Sequence, residues 1–584
     1  MPQTHRSVAF SGKKKKEQLK ARRTRKVLVK SGEENSHPPE VNTGLPSSAL
    51  SKLQEGGEAA GVNYLEEVEC VNHQPDTRSN ANRYNLKFRK ETQEETRKRK
   101  AVHHMGITLA SESDLEASTG QFYPSGLGYP ARPEWNKGMS KSTLDISENR
   151  HFRLFCEKLN REFAGADLSL YELNLETWRQ LWRVTEMSDV LLVIVDARFP
   201  VAHFPPYLYH HLTEEEGRGI ILILNKCDLL PPELVVAWEY YFHHTFPKLL
   251  VVPFSSLEGR RHPRGRLQMA AESSLRLVEA CQQLVGDSVD LTQWRKKIEE
   301  ERDVELEGGV ETIEDIQQEE PPSTLPEVHQ HYKDGILTVG TIGHPNVGKS
   351  SLINALMGKK VVSVSKTPGH TKHFQTIFLT KNVKLCDCPG LVFPSTVTKP
   401  LQVILGSYPI SQVRDPIGVV HYVATRLDIP SCLGLDYFRE PRDSPGKGDK
   451  WTAFEICEAW ARKRGYFIRS RGGPDAFRAA NELLRFCLNG QKSLVLYLRP
   501  PGYISEKEKF KSDPRVEDIK LIQGSVCLEK TALEEEEEEA EKVQEEEEEN
   551  SEEEDNDEES DDTEERKLPL PNVQNKFSLL VEDE

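Results

Sequence analysis

The stretch GILTVGTIGHPNVGKSSLINALMG, Gly335–Gly358, decides the fold. Its first part, to Ile342, is a short apolar, β-branched run and reads as a buried strand. From Lys349 onward the apolar residues take helical spacing. Between the two, Gly343 to Ser350 fits G-x-x-x-x-G-K-[ST] in the strand–turn–helix setting that this motif requires. Glycines let backbone N–H groups curl around a phosphate, and the helix N-terminus adds a positive field. Lys349 is then expected to reach the β- and γ-phosphates of a nucleotide and Ser350 to ligate Mg²⁺. Asn346, Val347, Gly348 and Ser351 complete the cradle. A chance Gly-rich turn is the competing explanation, and the flanking strand and helix weigh against it.

Outward from this centre the alternation continues on both sides. Upstream, DVLLVIVD (Asp189–Asp196), GIILILNKCD and LLVVPFSS read as buried strands, with helices over PPELVVAWEYYFHHTF and residues 266 to 285. Downstream, FQTIFLT and VKLCDCPG are further strands, and residues from Pro394 to Tyr503 read as mainly helical. Strand–helix alternation of this kind predicts a parallel sheet covered on both faces.

A phosphate cradle does not select a base. Asn225-Lys226-Cys227-Asp228, just past the strand IILIL, supplies that selection. A carboxylate at Asp228 accepts from both N1–H and the exocyclic N2 amine of guanine, a donor pair that adenine lacks. Asn225 holds the loop and the Lys226 stem lies along the base. Ser255 and Ser256, with Leu257, match a loop that meets the guanine carbonyl through backbone N–H. On its own each of these is an ordinary polar turn; beside the phosphate motif they point to GTP and GDP. In Asp387-Cys388-Pro389-Gly390, Asp387 is expected to hold Mg²⁺ through water. The Gly390 N–H would sense the γ-phosphate, with Pro389 between them. Thr371 is the candidate switch threonine on Mg²⁺, with an ordinary loop residue as the alternative. Lys349, Thr371 and Gly390 are thus the expected catalytic set. His344, His370 and His373 are not assigned as bases, and Cys386 and Cys388 read as strand packing.

The chain has 584 residues and a formal net charge of −17. That charge is unevenly spread: Glu534 to Glu565 holds 23 acids and one lysine, and the remainder has 71 acids against 76 bases. A mildly basic body with an acidic tail fits work near nucleic acid. Basic clusters at Lys13–Lys26 and Arg97–Lys100, the second preceded by Arg83, Tyr84, Lys87, Phe88, Arg89 and Lys90, suit nuclear import machinery and RNA backbone contact, with a solvated tail as the alternative. Tyr84 and Phe88 are candidates for stacking on bases. The scattered cysteines contain no C-x-x-C pair, so no zinc site is expected. No secretory signal or membrane-spanning run is expected, and reduced thiols in the nucleus, nucleolus and cytoplasm are. Ser551, Ser560 and Thr563 precede acids, as acid-directed phosphorylation sites do.

The motif order is NKCD, SSL, GHPNVGKS, GHT, DCPG. In that order the chain resembles the circularly permuted GTPases of the YlqF/YawG type. The segment LNLETWRQLWRVTEMSDVLLVIVDARFP, with Asp196-Ala197-Arg198, is similar to the YawG branch. The resemblance spans about residues 150 to 505, apart from an acidic linker. It implies a P-loop α/β fold and GTP hydrolysis with Mg²⁺. It also implies a link to ribosome assembly, through RNA or a preribosomal particle rather than DNA or membrane. Leu391 stands where Ras-like enzymes carry a water-orienting Gln, so hydrolysis is expected to be slow without a partner. The resemblance also implies K⁺ at Asn346, for which loop hydrogen bonding is the alternative. Rival readings are a GTP-dependent scaffold that hardly cleaves and a regulatory GTPase with protein effectors.

The expected architecture is a disordered basic region over 1–145 and a permuted α/β GTPase domain over 146–393 with a flexible acidic insertion at about 290–333. A mainly helical region over 394–510 and a disordered acidic tail over 511–584 follow.

Overall fold

A computed structural model describes residues 68–70, 87–89, 97, 100–136, 138–163, 168–256, 266–307, 330–359, 361–362, 375–435, 450–468, 472–491 and 493–523. These all fall in one compact unit, Leu65–Glu584.

Its centre is a six-stranded sheet built from β3 (Val190–Asp196), β4 (Gly219–Asn225), β5 (Leu250–Phe254), β6 (Leu337–Ile342), β7 (Gln375–Thr380) and β8 (Val383–Asp387), in the order β5-β4-β3-β6-β8-β7. A separate two-stranded pair joins β1 (Val68–Cys70) to β2 (Lys87–Arg89). In the central sheet every pairing is parallel except β7 on β8. The junction between the two halves of the chain is β3 beside β6, with Val190 opposite Val339 and Val193 opposite Ile342. Two remote stretches therefore make one sheet, which is what the rotated motif order requires.

The near-continuous apolar strands are buried on both faces, as a parallel sheet demands. Side chains alternate between two cores. Val190, Leu192 and Ile194 face a core shared with Leu277, Trp294, Leu352 and Ile353. These come from α3 (Arg266–Val285), α4 (Thr292–Glu307) and α5 (Lys349–Met357). Leu191, Val193 and Val195 face the other core, with α1 (Leu175–Met187) and α2 (Pro232–Thr245). That second core runs on without interruption into the helical region, through Val403, Val420, Ile456, Leu483 and Leu484. Fully burying one such side chain contributes about 1.5–3 kcal/mol, so the helical region is fastened to the sheet.

Three boundaries differ from the sequence expectation. Residues 100–136 fall in the stretch expected to be disordered, yet Leu115, Ala117, Tyr123 and Leu127 are buried. The Tyr123 hydroxyl donates to Ala202 O at 2.8 Å, and Ala117 N donates to Arg499 O at 2.8 Å. Each apolar island there is too sparse to fold alone and gains burial by docking on the body. Phe88 likewise lies in the core at 2% exposure, against Tyr408, so it is not a surface base-stacking residue. Helix α4 occupies the start of the segment expected to be a flexible insertion, because Leu291, Trp294 and Ile298 form one buried stripe. A last helix, α6 (Arg515–Gln523), lies beyond residue 510 and buries Ile519 and Ile522.

Candidate nucleotide site

The motifs meet at the carboxyl ends of the strands, where open parallel α/β sheets bind ligands. Asn225 closes β4, the phosphate motif leaves β6, and Asp387 closes β8.

The base-selecting loop and the phosphate loop are pinned to each other. Asn225 is fully buried, and its Nδ2 donates to Val347 O at 2.7 Å. The Lys226 Nζ donates to Asn346 O at 2.7 Å. Gly348, at φ 99°, allows this approach: a Cβ there would run into the Asn225 amide. Lys226 and Asn346 both sit in the left-handed region, at φ 62° and 60°, which costs a non-glycine residue about 1–3 kcal/mol. The cross-loop bonds offset that strain. Ser256 Oγ donates to Asn225 Oδ1 at 3.3 Å, and Ser255 Oγ to Asp228 Oδ1 at 3.0 Å. Asp228 is half-buried, so its carboxylate is held by Ser255 and still reachable from outside.

Lys349 is buried at the start of α5 and folds back on its own loop. Its Nζ donates to Gly343 O at 3.0 Å and to His344 O at 2.6 Å. Burial pulls its ammonium down to about 8, against the opposing pull of Asp387. Ser350 Oγ donates to Asp387 Oδ2 at 3.2 Å. Burial pushes the Asp387 carboxyl up to about 6, against Lys349 and Ser350. Its Oδ1 is buried and has no hydrogen-bond partner among the described residues. Val347 and Ser351 are buried beneath the loop. Pro389 and Gly390 are buried beside it, and a Cβ on Gly390 would lie 2.7 Å from Pro345 Cα. Leu391, at 1% exposure, donates its N–H to Gly343 O at 3.2 Å. Thr371, His370, His373 and Leu257 lie outside the described residues.

Several partners of the site were not evident from its motifs. Asn346 Nδ2 donates to Gly406 O at 2.9 Å, and His344 Nδ1 lies 3.3 Å from Ser407 Oγ. The phosphate loop thus touches the helical region directly. The Gln523 amide donates to Cys227 O and Leu230 O, both at 2.8 Å, tying the end of α6 to the base loop. Asp196 accepts from Lys226 Nζ at 2.9 Å. His203 and His344 stack edge-to-face at 5.0 Å, and burial holds His203 down at about 3 and His344 well below its usual range. Burial thus keeps both rings neutral, and rings that hold a proton so weakly are poor general bases. Among the described residues no group of three or more His, Cys, Asp or Glu is placed to hold a metal ion.

Comparison with known proteins finds GTPases and guanine nucleotide-binding proteins. Residues 338–416 match the family described as 50S ribosome-binding GTPase. The human guanine nucleotide-binding protein-like 1 is 43% identical over 475 residues, covering 76% of this chain and 77% of that protein. The mouse protein of the same name matches to the same extent. Large subunit GTPase 1 of Saccharomyces cerevisiae is 36% identical over 391 residues, or 65% of this chain and 59% of the yeast protein. The crystal structure of GNP-bound YlqF from T. maritima covers 56% of this chain and 99% of its own, at 19% identity and a TM-score of 0.33, too loose a likeness to bear a conclusion. With its motifs in rotated order around one parallel sheet and this identity over three quarters of its length, the chain belongs to the guanine nucleotide-binding protein-like 1 family of circularly permuted GTPases.

Proposed function

We propose that this GTPase is a slow nucleotide switch in ribosome biogenesis or a related RNA-linked process. The observation that carries the slow chemistry is Leu391. An apolar, buried side chain stands where a water-orienting amide would be needed, and its N–H is committed to Gly343 O. The names borne by the matching family and by the yeast relative favour the ribosomal setting. The basic sequence clusters favour an RNA backbone as partner.

In this reading Asp228 grips guanine while Asn225, Lys226, Ser255 and Ser256 hold its loop. The N–H groups from Asn346 to Ser351 cradle the phosphates, and Lys349 leaves its two carbonyls to meet the β- and γ-oxygens. The donor set fits a hard dication: Ser350 Oγ and the buried Asp387 Oδ1, which has no hydrogen-bond partner among the described residues, are both oxygens. Ser350 and Asp387, with Thr371 from outside the described residues, would hold Mg²⁺, which when bound neutralises phosphate charge. K⁺ at Asn346 would draw on the amide oxygen Oδ1, Nδ2 being a donor that bonds Gly406 O. Gly390 packs against Pro345, so a shift at Gly390 on γ-phosphate loss would pull on Phe393 and the chain entering the helical region. That is the expected output route. We place the protein in the nucleus, nucleolus and cytoplasm, with the acidic tail open to phosphorylation.

The same buried Leu391 favours a second reading, a scaffold that binds GTP and hardly cleaves it. Single-turnover hydrolysis with and without K⁺ and with purified large ribosomal subunits separates the two. A switch shows hydrolysis above background that subunits accelerate. Background-level hydrolysis under every condition leaves the scaffold. Co-sedimentation with the subunits, weakened by RNase and by salt, is expected; sedimentation indifferent to both would remove the RNA link.

A further inference from the structure

Asp196 ends β3, next to β4, with Asp196 directly opposite Asn225 in the register. It is 1% exposed and carries its charge there. Burial acts to raise its pKa, but Arg198 and Lys226 outweigh burial and hold it far below the usual carboxylate range. Arg198 is also 1% exposed and grips it with both arms: Nε to Oδ1 at 3.0 Å and Nη2 to Oδ2 at 2.7 Å. The same Oδ2 accepts from Lys226 Nζ at 2.9 Å. Arg198 then crosses to the helix Ala476–Asn489. Its Nη1 donates to Cys487 O at 2.8 Å and its Nη2 to Leu488 O at 3.0 Å, the carbonyls at the helix C-terminus. A cation there satisfies carbonyls that helical bonding leaves open and meets the negative end of the dipole. The Arg198 backbone is fixed as well, its O accepting from Leu498 N at 2.8 Å.

We infer that Asp196 is the positioning residue for the base-selecting loop and that Arg198 links that loop to the helical region. Lys226 is in a left-handed conformation that a lysine does not prefer, and its side chain has two anchors, Asn346 O and Asp196. Only one of these is charged. Removing that charge breaks the Asp196 ion pair and leaves Lys226 facing Arg198 with the weaker field of Asp228 to offset it, and Lys226 withdraws. The strained turn then relaxes, and Asp228, two residues on, loses its aim at the base. The chain of contacts also works in reverse. A helix that undocks at Cys487 and Leu488 withdraws Arg198, so Asp196 draws Lys226 away from the phosphate loop. A partner gripping the helical region could in this way loosen the nucleotide without touching it. The linkage is reciprocal: base binding firms the C-terminus of the Ala476–Asn489 helix.

The inference rests on reading Asn225–Asp228 as the guanine loop, and the experiment keeps the two apart. The full chain and its Asp196→Asn, Arg198→Met and Asp228→Ala variants are titrated with GDP and ADP. Asp196→Asn keeps the shape and removes the charge. It is expected to weaken GDP by roughly ten- to hundredfold, the scale of one buried charge-assisted hydrogen bond, and to change ADP by less than about threefold. The ADP/GDP ratio therefore collapses, which general damage to the fold would not produce, since it would weaken both ligands. Amide exchange at residues 484–490 is read in parallel. GDP is expected to slow it in the wild type and to leave it unchanged in Arg198→Met. If Asp228→Ala leaves the ratio intact, the guanine-loop reading itself fails. If Asp228→Ala collapses it while Asp196→Asn does not, the positioning role is overturned and the guanine loop stands. GDP protection of 484–490 that survives in Arg198→Met overturns the link to the helix.

Discussion

Replacing Asp387 by Asn should make the nucleotide-free protein more stable while removing its Mg²⁺-dependent hold on GTP. The carboxyl is 1% exposed, and burial raises its pKa from 3.8 to about 6. Between those values the folded state binds more protons than the unfolded one, so stability falls as pH rises through that window. Above pH 6 the whole penalty is present. A shift of about 2 units at 1.36 kcal/mol each amounts to roughly 3 kcal/mol of stability forgone at pH 7.5. Asparagine keeps the shape, retains an oxygen for Ser350, and carries no charge. The thermal midpoint of the nucleotide-free, chelator-treated variant is expected to lie a few degrees above wild type at pH 7.5. At pH 5, where the wild-type carboxyl is largely protonated, the gain shrinks to about half. A midpoint lower than wild type, or a gain equal at both pH values, would refute the argument. So would GTP affinity that still rises on adding Mg²⁺.

Three further outcomes follow from the same geometry. Gly390→Ala places a methyl against the Pro345 backbone at 2.7 Å. Single-turnover GTP hydrolysis should drop by about tenfold or more, with GDP affinity held within about threefold. Leu391→Gln should not raise turnover, because an amide at a site 1% exposed is buried without a partner and costs about 1–3 kcal/mol. A lower melting midpoint with unchanged or reduced hydrolysis is the expected result. Lys349 has its pKa lowered to about 8 by burial, so its charge is lost as pH rises through 8. GTP affinity should fall above that pH, by up to about tenfold per unit, and calorimetry in buffers of different ionisation enthalpy should show proton uptake on binding.

The sheet was readable because its strands are unbroken apolar runs bounded by motif residues. DVLLVIVD, IILIL and VKLC could hardly be anything else, and β3, β4 and β8 fall on them. The phosphate and base motifs were readable because each fixes several residue types at set spacing. What stayed hidden was contact between remote segments. Nothing local marks Gly406 as the acceptor for Asn346, since a backbone carbonyl is available at every residue. Gln523 lies past the helical region, where a lone amide carries no signal for the loop at Cys227. Asp196 did leave a trace, an acid ending an otherwise apolar strand, but what it joins, Lys226 directly and Cys487 through Arg198, lies in remote parts of the chain. The docking of residues 100–136 was missed for a related reason. Their apolar positions are too sparse for periodicity, and their burial depends on a surface made by the rest of the fold.

The claim beneath all of this is that two remote pieces of chain close on one ligand. A structure of the protein with Mg²⁺ and a non-hydrolysable GTP analogue tests it most directly. The account predicts the guanine edge within hydrogen-bonding distance of the Asp228 carboxylate and the β-phosphate within reach of Lys349 Nζ, in one continuous density. A base lodged away from Asp228, with the triphosphate still at Lys349, would contradict it.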